Sequence, residues 1–204
     1  MLKSILILGI TIFTFSTYSQ FEHGVKQIGF TTAFSGSNSK VTGLTSNTLY
    51  VRFAPSFNYF VKDNFSIGGT LLFSSNQSIQ KINSISSGSK TLIYGLGISA
   101  NKYFKIKDNL FFTVYSLVSF SKSQSQSQSQ TINSNASSTK LNVFGISIAP
   151  SLVYLFTPKI GLTATFGSLN FSNSTHVGTP NSSYTNYGAN FGFSSLNFGV
   201  IYNF

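Results

Sequence analysis

In the stretch LYVRFAPSFNY, residues 49–59, two kinds of side chain alternate, so that each kind returns at every second position. Because successive side chains of a β-strand point to opposite faces, a period of two predicts a strand with two different faces. The same period returns in residues 92–99 and 144–156, and no segment after residue 20 carries the period of a helix. In the quoted stretch the large apolar face comprises Leu49, Val51, Phe53, Pro55, Phe57 and Tyr59, and the opposite face comprises Tyr50, Arg52, Ala54, Ser56 and Asn58.

The composition is unusual for a soluble protein. The 204 residues include 13 Lys and Arg but only 3 Asp and Glu, so that charged residues make up 8% of the chain, against about 25% in a typical soluble domain. The length suits one domain. The lysines are scattered along the chain, which argues against a nucleic-acid partner, and their positions in turns and at strand ends favour contact with anionic headgroups.

The first residues, MLKSILILGITIFTFSTYSQ, combine Lys3, an apolar run over 5–15 and small residues before Gln20. This pattern predicts a signal peptide over residues 1–19, followed by one domain over 20–204. A membrane anchor is the alternative, but the run is shorter than the roughly 20 residues that span a bilayer. The chain has no Cys, which leaves neither disulfides nor a lipoprotein anchor and favours a bacterial envelope protein.

Eight runs of the sequence have the period of a strand, and the connections between them are of two kinds. The predicted strands are 26–36, 47–60, 65–75, 90–104, 110–122, 140–156, 160–172 and 186–204. Short connections (61–64, 105–109 and 157–159) alternate with long polar ones (37–46, 76–89, 123–139 and 173–185). This layout predicts an all-β fold, an eight-stranded antiparallel up-and-down transmembrane β-barrel with short periplasmic turns.

The periplasmic turns carry two of the three acidic residues. Asp63-Asn64 and Asp108-Asn109 both follow an aromatic pair and a lysine. Asp and Asn accept backbone hydrogen bonds and tolerate unusual dihedral angles, so both pairs predict tight hairpins at the same end of the barrel.

Aromatic residues concentrate near the strand ends, where rings form the interfacial girdles of a membrane barrel. The interior of an eight-stranded barrel is too narrow for so many large rings, so the face that carries the large apolar side chains is expected to contact lipid. The girdle residues predicted in this way are Tyr59, Phe60, Phe65, Tyr103, Phe104, Phe111, Phe112, Tyr154, Phe156 and Tyr202.

With its aromatic alternation, its YF…DN turns and its last strand SLNFGVIYNF, the chain resembles the small bacterial outer-membrane β-barrel proteins of the OmpA/OmpX type. The resemblance implies a bacterial outer-membrane location, contact with lipid and lipopolysaccharide, a monomer, and insertion by the barrel-assembly machinery. It also implies that the last strand is the assembly signal, through an exposed edge and side chains that fit pockets. The signal residues are Phe198, Val200, Tyr202 and Phe204.

The upper part of the last strand raises a question of phase. Tyr187, Ala189, Phe191 and Phe193 lie in the opposite phase to the signal residues. Either a bulge near Ser194-Ser195 reconciles the two halves, or these aromatic residues face the lumen.

The side chains on the inward face are small and mostly neutral. Arg52 is the charged residue that lies on this face in the middle of a predicted strand. Two functions remain open: a structural or surface-interaction barrel with a hydrogen-bonded plug, or a narrow channel for small solutes, which Arg52 would make anion-selective. The lumen candidates are Arg52, Ser99, Asn101, Thr163 and Thr165.

The residue inventory argues against an enzyme. Glu22, Asp63 and Asp108 lie outside the predicted strands, and His23 and His176 belong to opposite ends. No catalytic, metal or cofactor site is therefore predicted.

The outer segments are polar. SKSQSQSQSQ at 121–130 either extends the fifth strand above the membrane or is disordered. The candidates for lipopolysaccharide contact are Lys40, Lys81, Lys90, Lys122 and Lys140.

Overall fold

A computed structural model describes residues 21–82, 85–129, 137–178, 182–191 and 196–204, most of them in antiparallel strands. Within these ranges no helix is both long and apolar enough to cross a membrane. The strands are β1 (Lys26–Val41), β2 (Leu44–Lys62), β3 (Phe65–Ile82), β4 (Ile85–Lys107), β5 (Leu110–Ser129), β6 (Ser137–Leu155), β7 (Ile160–Thr165), β8 (Gly167–His176), β9 (Ser183–Phe191) and β10 (Asn197–Asn203).

The strand pairings form a ring. Each strand from β1 to β6 pairs with the next in sequence, β7 pairs with β10, and β10 pairs back with β1. Strand β8 continues β7 along β6, and β9 pairs with β8. The predicted eight-stranded antiparallel barrel is confirmed, with two of its eight wall segments each divided into two strands.

A bulge divides the seventh wall segment. Ser151 pairs with Thr165 and Ile148 with Leu169, so three steps along β6 stand against four on its neighbour. The extra residue is Phe166, whose N–H donates to the carbonyl of Pro150 at 3.3 Å. Pro150 has no N–H to return, so the ladder is weakened where the strand bends.

The same place explains the change of phase in the last wall segment. Phe191 pairs with Gly167 and Asn197 with Thr165, so the two pairs are six positions apart on the last wall segment and two positions apart on its neighbour. Tyr187 pairs with the outward-facing Phe171 and is 86% exposed. The aromatic phase is thus outward on both sides of the break; Ser194 and Ser195, where the bulge was expected, lie outside the described residues.

The prediction of long outer loops was wrong for residues 37–46 and 76–82. Strands β1 and β2 run up to a turn at Thr42-Gly43, where Gly43 has a φ of 78°. Residues 121–129 belong to β5 and pair with β4 and β6, so this polar stretch does extend the fifth strand. Above the membrane both faces of a strand meet water, so polar side chains on both faces are compatible with paired strands.

The outer face of the barrel is apolar and the inner face is polar. Phe34, Ile98 and Phe120 point outward and are 75%, 68% and 61% exposed. Ser66 and Ser99 point inward and are 0% and 1% exposed. An exposed apolar belt of this extent around a closed sheet is stable only in lipid.

Candidate functional site

A cluster of buried, mostly aromatic side chains, which we call the aromatic plug, lies in the lumen at the end of the barrel where β1 begins and β10 ends. It comprises Phe21, Phe60, Tyr103, Phe111, Val153, Leu155 and Ile201, each of which is buried. The assignment of Phe60, Tyr103 and Phe111 to the lipid-facing girdle was therefore wrong. Tyr59 and Phe60 are neighbours on one strand, so their rings point to opposite faces and only Tyr59 meets the exterior.

The segment before β1 supplies the centre of this plug. The Phe21 ring lies 5.3 Å from the ring of Phe60 and 4.7 Å from that of Phe111, centroid to centroid. The N–H of Asn64 donates to the Phe21 carbonyl at 2.7 Å, and the N–H of His23 donates to Oδ1 of Asp63 at 2.8 Å. The β2–β3 turn thus holds the N-terminal segment under the barrel.

The predicted turns therefore differ in what their acids do. Asp63-Asn64 and Asp108-Asn109 both form tight turns at the end of the barrel where β1 begins and β10 ends. The Asp63 carboxylate anchors another segment, whereas Asp108 Oδ1 lies 3.1 Å from Nζ of Lys105 in an exposed ion pair. Sequence reasoning missed the anchor because Phe21 and His23 precede the first strand and carry no periodic pattern.

A layer of neutral polar side chains lies directly above the plug. We call Gln27, Asn58, Ser66, Ser99, Asn101 and Asn203 the amide layer; all are buried. Asn58 Oδ1 accepts from Ser99 Oγ at 3.1 Å and from Asn101 Nδ2 at 3.2 Å. Gln27 donates to Asn203 Oδ1 at 3.0 Å and accepts from the Tyr103 hydroxyl at 3.1 Å. In the part of the chain that the structure describes, no buried side-chain polar atom lacks a hydrogen-bond partner.

Gly68 provides the space for this layer. A Cβ at Gly68 would overlap Oδ1 of Asn58 and the carbonyl oxygen of Phe57. Any side chain there would displace the amide that receives two of the hydrogen bonds.

Above the amide layer the lumen widens into a cavity of about 770 Å³. Arg52, Asn101, Thr163 and Thr165 line it, and Ser99 lies below, within the amide layer. The structure thus places all five lumen candidates on the inward face. Thr165 Oγ1 lies 2.7 Å from Ser151 Oγ, which joins β7 to β6 inside the lumen.

The remaining candidates lie on the outer face. Phe198 and Phe204 are 58% and 50% exposed, and Val200 and Tyr202 lie between them on the same face. All five lysine candidates lie on strands that extend above the apolar band. They share the phase of the outward apolar residues: Lys90 precedes Leu92 by two residues and Lys122 follows Phe120 by two.

The acids and histidines are not gathered into one centre. Asp63 is bonded to the His23 backbone and Asp108 to Lys105, while His176 lies on β8 at the opposite end. No group of three His, Cys, Asp or Glu residues in the described ranges is placed to hold a metal ion.

No protein-family model matches the chain, and no curated protein matches it. Solved structures of outer-membrane proteins do match over most of their length. Neisserial surface protein A is 15% identical over 91% of this chain and 98% of that chain, with a TM-score of 0.43. OprG from Pseudomonas aeruginosa is 14% identical over 92% and 99%, with a TM-score of 0.47. A major outer membrane protein from Thermus thermophilus is 10% identical over 89% and 100%, with a TM-score of 0.48.

At such low identities and scores, the class of the protein follows from its own geometry. A ring of antiparallel strands has its large apolar side chains outside and its hydrogen-bonded polar side chains inside. Backbone groups in lipid must be satisfied within the structure, which a closed ring of strands achieves. The chain therefore has the fold of an integral membrane β-barrel.

Proposed function

We propose that the protein is a non-conducting structural barrel of the outer membrane that binds lipopolysaccharide phosphates through a belt of outward lysines. The lysine belt comprises Lys40, Lys81, Lys90, Lys122 and Lys140. The observation that carries the proposal is that all five share the outward phase and lie at or beyond the outer edge of the apolar band.

The centre of the belt lies on β4, β5 and β6. Lys122 pairs with Tyr94 on β4, and Lys140 pairs with Gln124 on β5. Gln124 Nε2 donates to the Tyr94 hydroxyl at 3.2 Å. Lys122 and Lys140 are thus diagonal neighbours beside a phenol and an amide, a surface suited to phosphate oxygens.

Charge is distributed to favour this partner. The three acids, Glu22, Asp63 and Asp108, all lie toward the periplasmic end. The carboxylate of Asp108 is already paired with Lys105 at that end. The lysine belt therefore has no nearby carboxylate, and each lysine near an anionic surface contributes about 1 kcal/mol of attraction.

The test compares two double variants refolded in bilayers with and without lipopolysaccharide. Lys90→Ala/Lys140→Ala removes two charges from the belt, and the matched control Lys62→Ala/Lys107→Ala removes two exposed lysines at the periplasmic end. Lipopolysaccharide is expected to raise the Tm of the control and of the unaltered protein by several degrees, and to raise that of the belt variant by less than half as much. Screening predicts that salt shrinks the increase. An equal increase in both double variants would contradict the proposal.

The plug and the amide layer support a lumen that does not conduct. Refolded protein in planar bilayers is expected to show no single-channel steps, because the plug and the amide layer cross the lumen in series. A narrow channel is the second candidate, favoured by the small, polar lining of the upper lumen. Steps that prefer anions in the unaltered protein and shrink in Arg52→Ala would support the channel instead.

We also propose that the protein works as a monomer, because the ring of pairings from β1 to β10 needs no strand from a second chain. Analytical ultracentrifugation in density-matched detergent would test this, and a stable dimer would count against it.

A further inference from the structure

Arg52 places a permanent charge inside the barrel at the depth of the apolar band. Its neighbours on β2, Val51 and Phe53, point outward and are each 42% exposed, so Arg52 itself points inward. Arg52 lines the cavity of about 770 Å³ above the amide layer, and among the described residues of that lining it is the only charged one. A guanidinium stays protonated throughout the accessible pH range, so the cavity always carries this positive charge.

The chain supplies no counter-charge near Arg52. None of the ten strands contains Asp or Glu, and the three acids, Glu22, Asp63 and Asp108, lie toward the periplasmic end. Within the ranges that the structure describes, the Arg52 side chain has no hydrogen bond and no ion pair. In a lumen surrounded by lipid the effective dielectric constant is lower than in bulk water, so this charge attracts an anion more strongly than an exposed arginine would.

Two hydroxyls and a glycine form a recess in the wall of the same cavity. Gly199 on β10 pairs with Thr31 on β1 and with Thr163 on β7, so all three lie on the inward face. A Cβ at Gly199 would lie 2.6 Å from Oγ1 of Thr163 and 3.2 Å from Oγ1 of Thr31. The absence of a side chain therefore leaves a space that both hydroxyls border. Neither hydroxyl has a hydrogen-bond partner in the described part of the chain.

The recess lies within reach of Arg52. Arg52 pairs with Ala33, which follows Thr31 by two residues on the same face of β1. Diagonal neighbours of this kind on adjacent strands lie about 7–8 Å apart, a distance that a long side chain spans. The recess thus combines two hydroxyl donors with a nearby forked cation.

This set of donors suits a tetrahedral oxyanion. A guanidinium donates two parallel hydrogen bonds to two oxygens of a phosphate, and a threonine hydroxyl donates to a further oxygen. A chloride ion offers one atom and cannot accept the fork in this way. The nearby lining is neutral and includes the hydroxyls of Thr70 and Tyr115, which lie 3.5 Å apart, so no fixed charge of the lining repels an anion.

We propose that this cavity binds inorganic phosphate, held by the guanidinium of Arg52 and by the hydroxyls of Thr31 and Thr163 in the recess at Gly199. The site lies inside the barrel, whereas the lysine belt lies on the outer face, so it does not depend on lipopolysaccharide. Binding here requires no conduction through the amide layer.

Amide chemical shifts locate the ion. Protein labelled with ¹⁵N is refolded in a detergent without phosphate groups and titrated with sodium phosphate at constant pH. The reference titration uses sodium chloride at the same ionic strength. Saturable shifts of the amide signals of Thr31, Thr163 and Gly199 are expected with phosphate and not with chloride.

The role of the charge is tested by three variants. Arg52→Gln is expected to weaken the apparent affinity for phosphate at least about tenfold, as for the loss of charge-assisted hydrogen bonds. Arg52→Lys is expected to restore part of it. Lys62→Gln makes the same change of charge at the exposed end of the same strand and is expected to leave the affinity unchanged.

The role of the recess is tested by removing its hydroxyls. Thr31→Val/Thr163→Val replaces both hydroxyls by methyl groups of similar size and is expected to weaken the affinity several-fold. Thr48→Val is the matched control, because Thr48 lies four residues before Arg52 on the same face of β2 but outside the lining of the cavity. It is expected to bind phosphate as the unaltered protein does.

Heat-dependent gel migration confirms folding of each variant before titration. Undiminished affinity in Arg52→Gln or in the double valine variant, equal shifts with chloride, or no saturable shift of the three signals would overturn the proposal. Shifts confined to residues around the lysine belt would also overturn it, because phosphate would then bind on the outer face.

Discussion

The ring of Phe21 stacks on the ring of Tyr103 with centroids 4.2 Å apart and an interplanar angle of 26°. Phe21 belongs to the segment before the first strand, and Tyr103 belongs to β4 near the periplasmic end. The Tyr103 hydroxyl also donates to Gln27 in the amide layer. One stacked pair therefore connects the N-terminal segment, the aromatic plug and the polar layer above it.

Phe21→Ala is expected to destabilise the barrel because it removes the centre of the plug. Phe21 is 2% exposed, and replacing a buried Phe by Ala costs about 3–5 kcal/mol of unfolding free energy. Urea unfolding in lipid vesicles, followed by circular dichroism, measures the change. Phe34→Ala is the control, since that ring faces lipid and is 75% exposed; equal losses in both variants would contradict the role given to the plug.

Asp63→Ala is expected to release the N-terminal segment, whereas Asp108→Ala leaves it in place. Asp63 accepts the His23 N–H, while the carboxylate of Asp108 meets an exposed lysine three residues before it. Exposed ion pairs contribute little because water and salt screen them. Amide hydrogen exchange at His23 and Gly24 is expected to speed up about tenfold in Asp63→Ala, which corresponds to the loss of one hydrogen bond. Unchanged exchange in Asp63→Ala would show that the segment is held without this hydrogen bond.

Asn58→Ala is expected to weaken the amide layer more than an outer amide substitution weakens the barrel. Asn58 Oδ1 receives two donors, and its Nδ2 donates to Gln27 Oε1 at 3.4 Å. Leaving buried partners unsatisfied costs about 1–3 kcal/mol each, so a loss of at least about 2 kcal/mol of unfolding free energy is expected. Asn47→Ala, at a less buried position of the same strand, is expected to change it little. Similar losses at the two positions would argue that the layer adds nothing to stability.

The sequence predicts the fold well for the strand segments that contact lipid and less well for those that extend into water. In residues 49–59 lipid requires large apolar side chains on one face, so the period of two identifies both the strand and its faces. At Ser37 to Lys40 the exterior is water, both faces are polar, and a paired strand has the same pattern as a loop. Neighbouring side chains on a strand point to opposite faces, so Phe60 points inward when Tyr59 points outward. Depth in the membrane, on which the girdle prediction was based, is the same for both rings.

The candidate sites show a second limit. The outward phase of Lys122 and the inward phase of Arg52 follow from alternation. The plug residue Phe21 precedes every periodic segment, so no pattern in the sequence predicts its position. Contacts between segments far apart in the chain are decided by closure of the sheet.

Phe204→Ala is expected to slow insertion into the outer membrane in cells with little effect on the stability of protein folded in vitro. The Phe204 backbone exchanges hydrogen bonds with Lys26 at 2.8 and 3.0 Å, which substitution of the side chain leaves in place. Its ring points outward beside Tyr202, at 6.0 Å, and Phe57, at 6.5 Å, so removal leaves no internal cavity. Because recognition of the ring during assembly would be lost, the amount of folded protein in the outer membrane is expected to fall several-fold in Phe204→Ala, while the Tm after refolding changes little. Phe198→Ala, on the same face and strand, is the comparison for general loss of lipid contact. A fall in membrane insertion matched by an equal fall in Tm would assign Phe204 to stability and remove the case for an assembly signal.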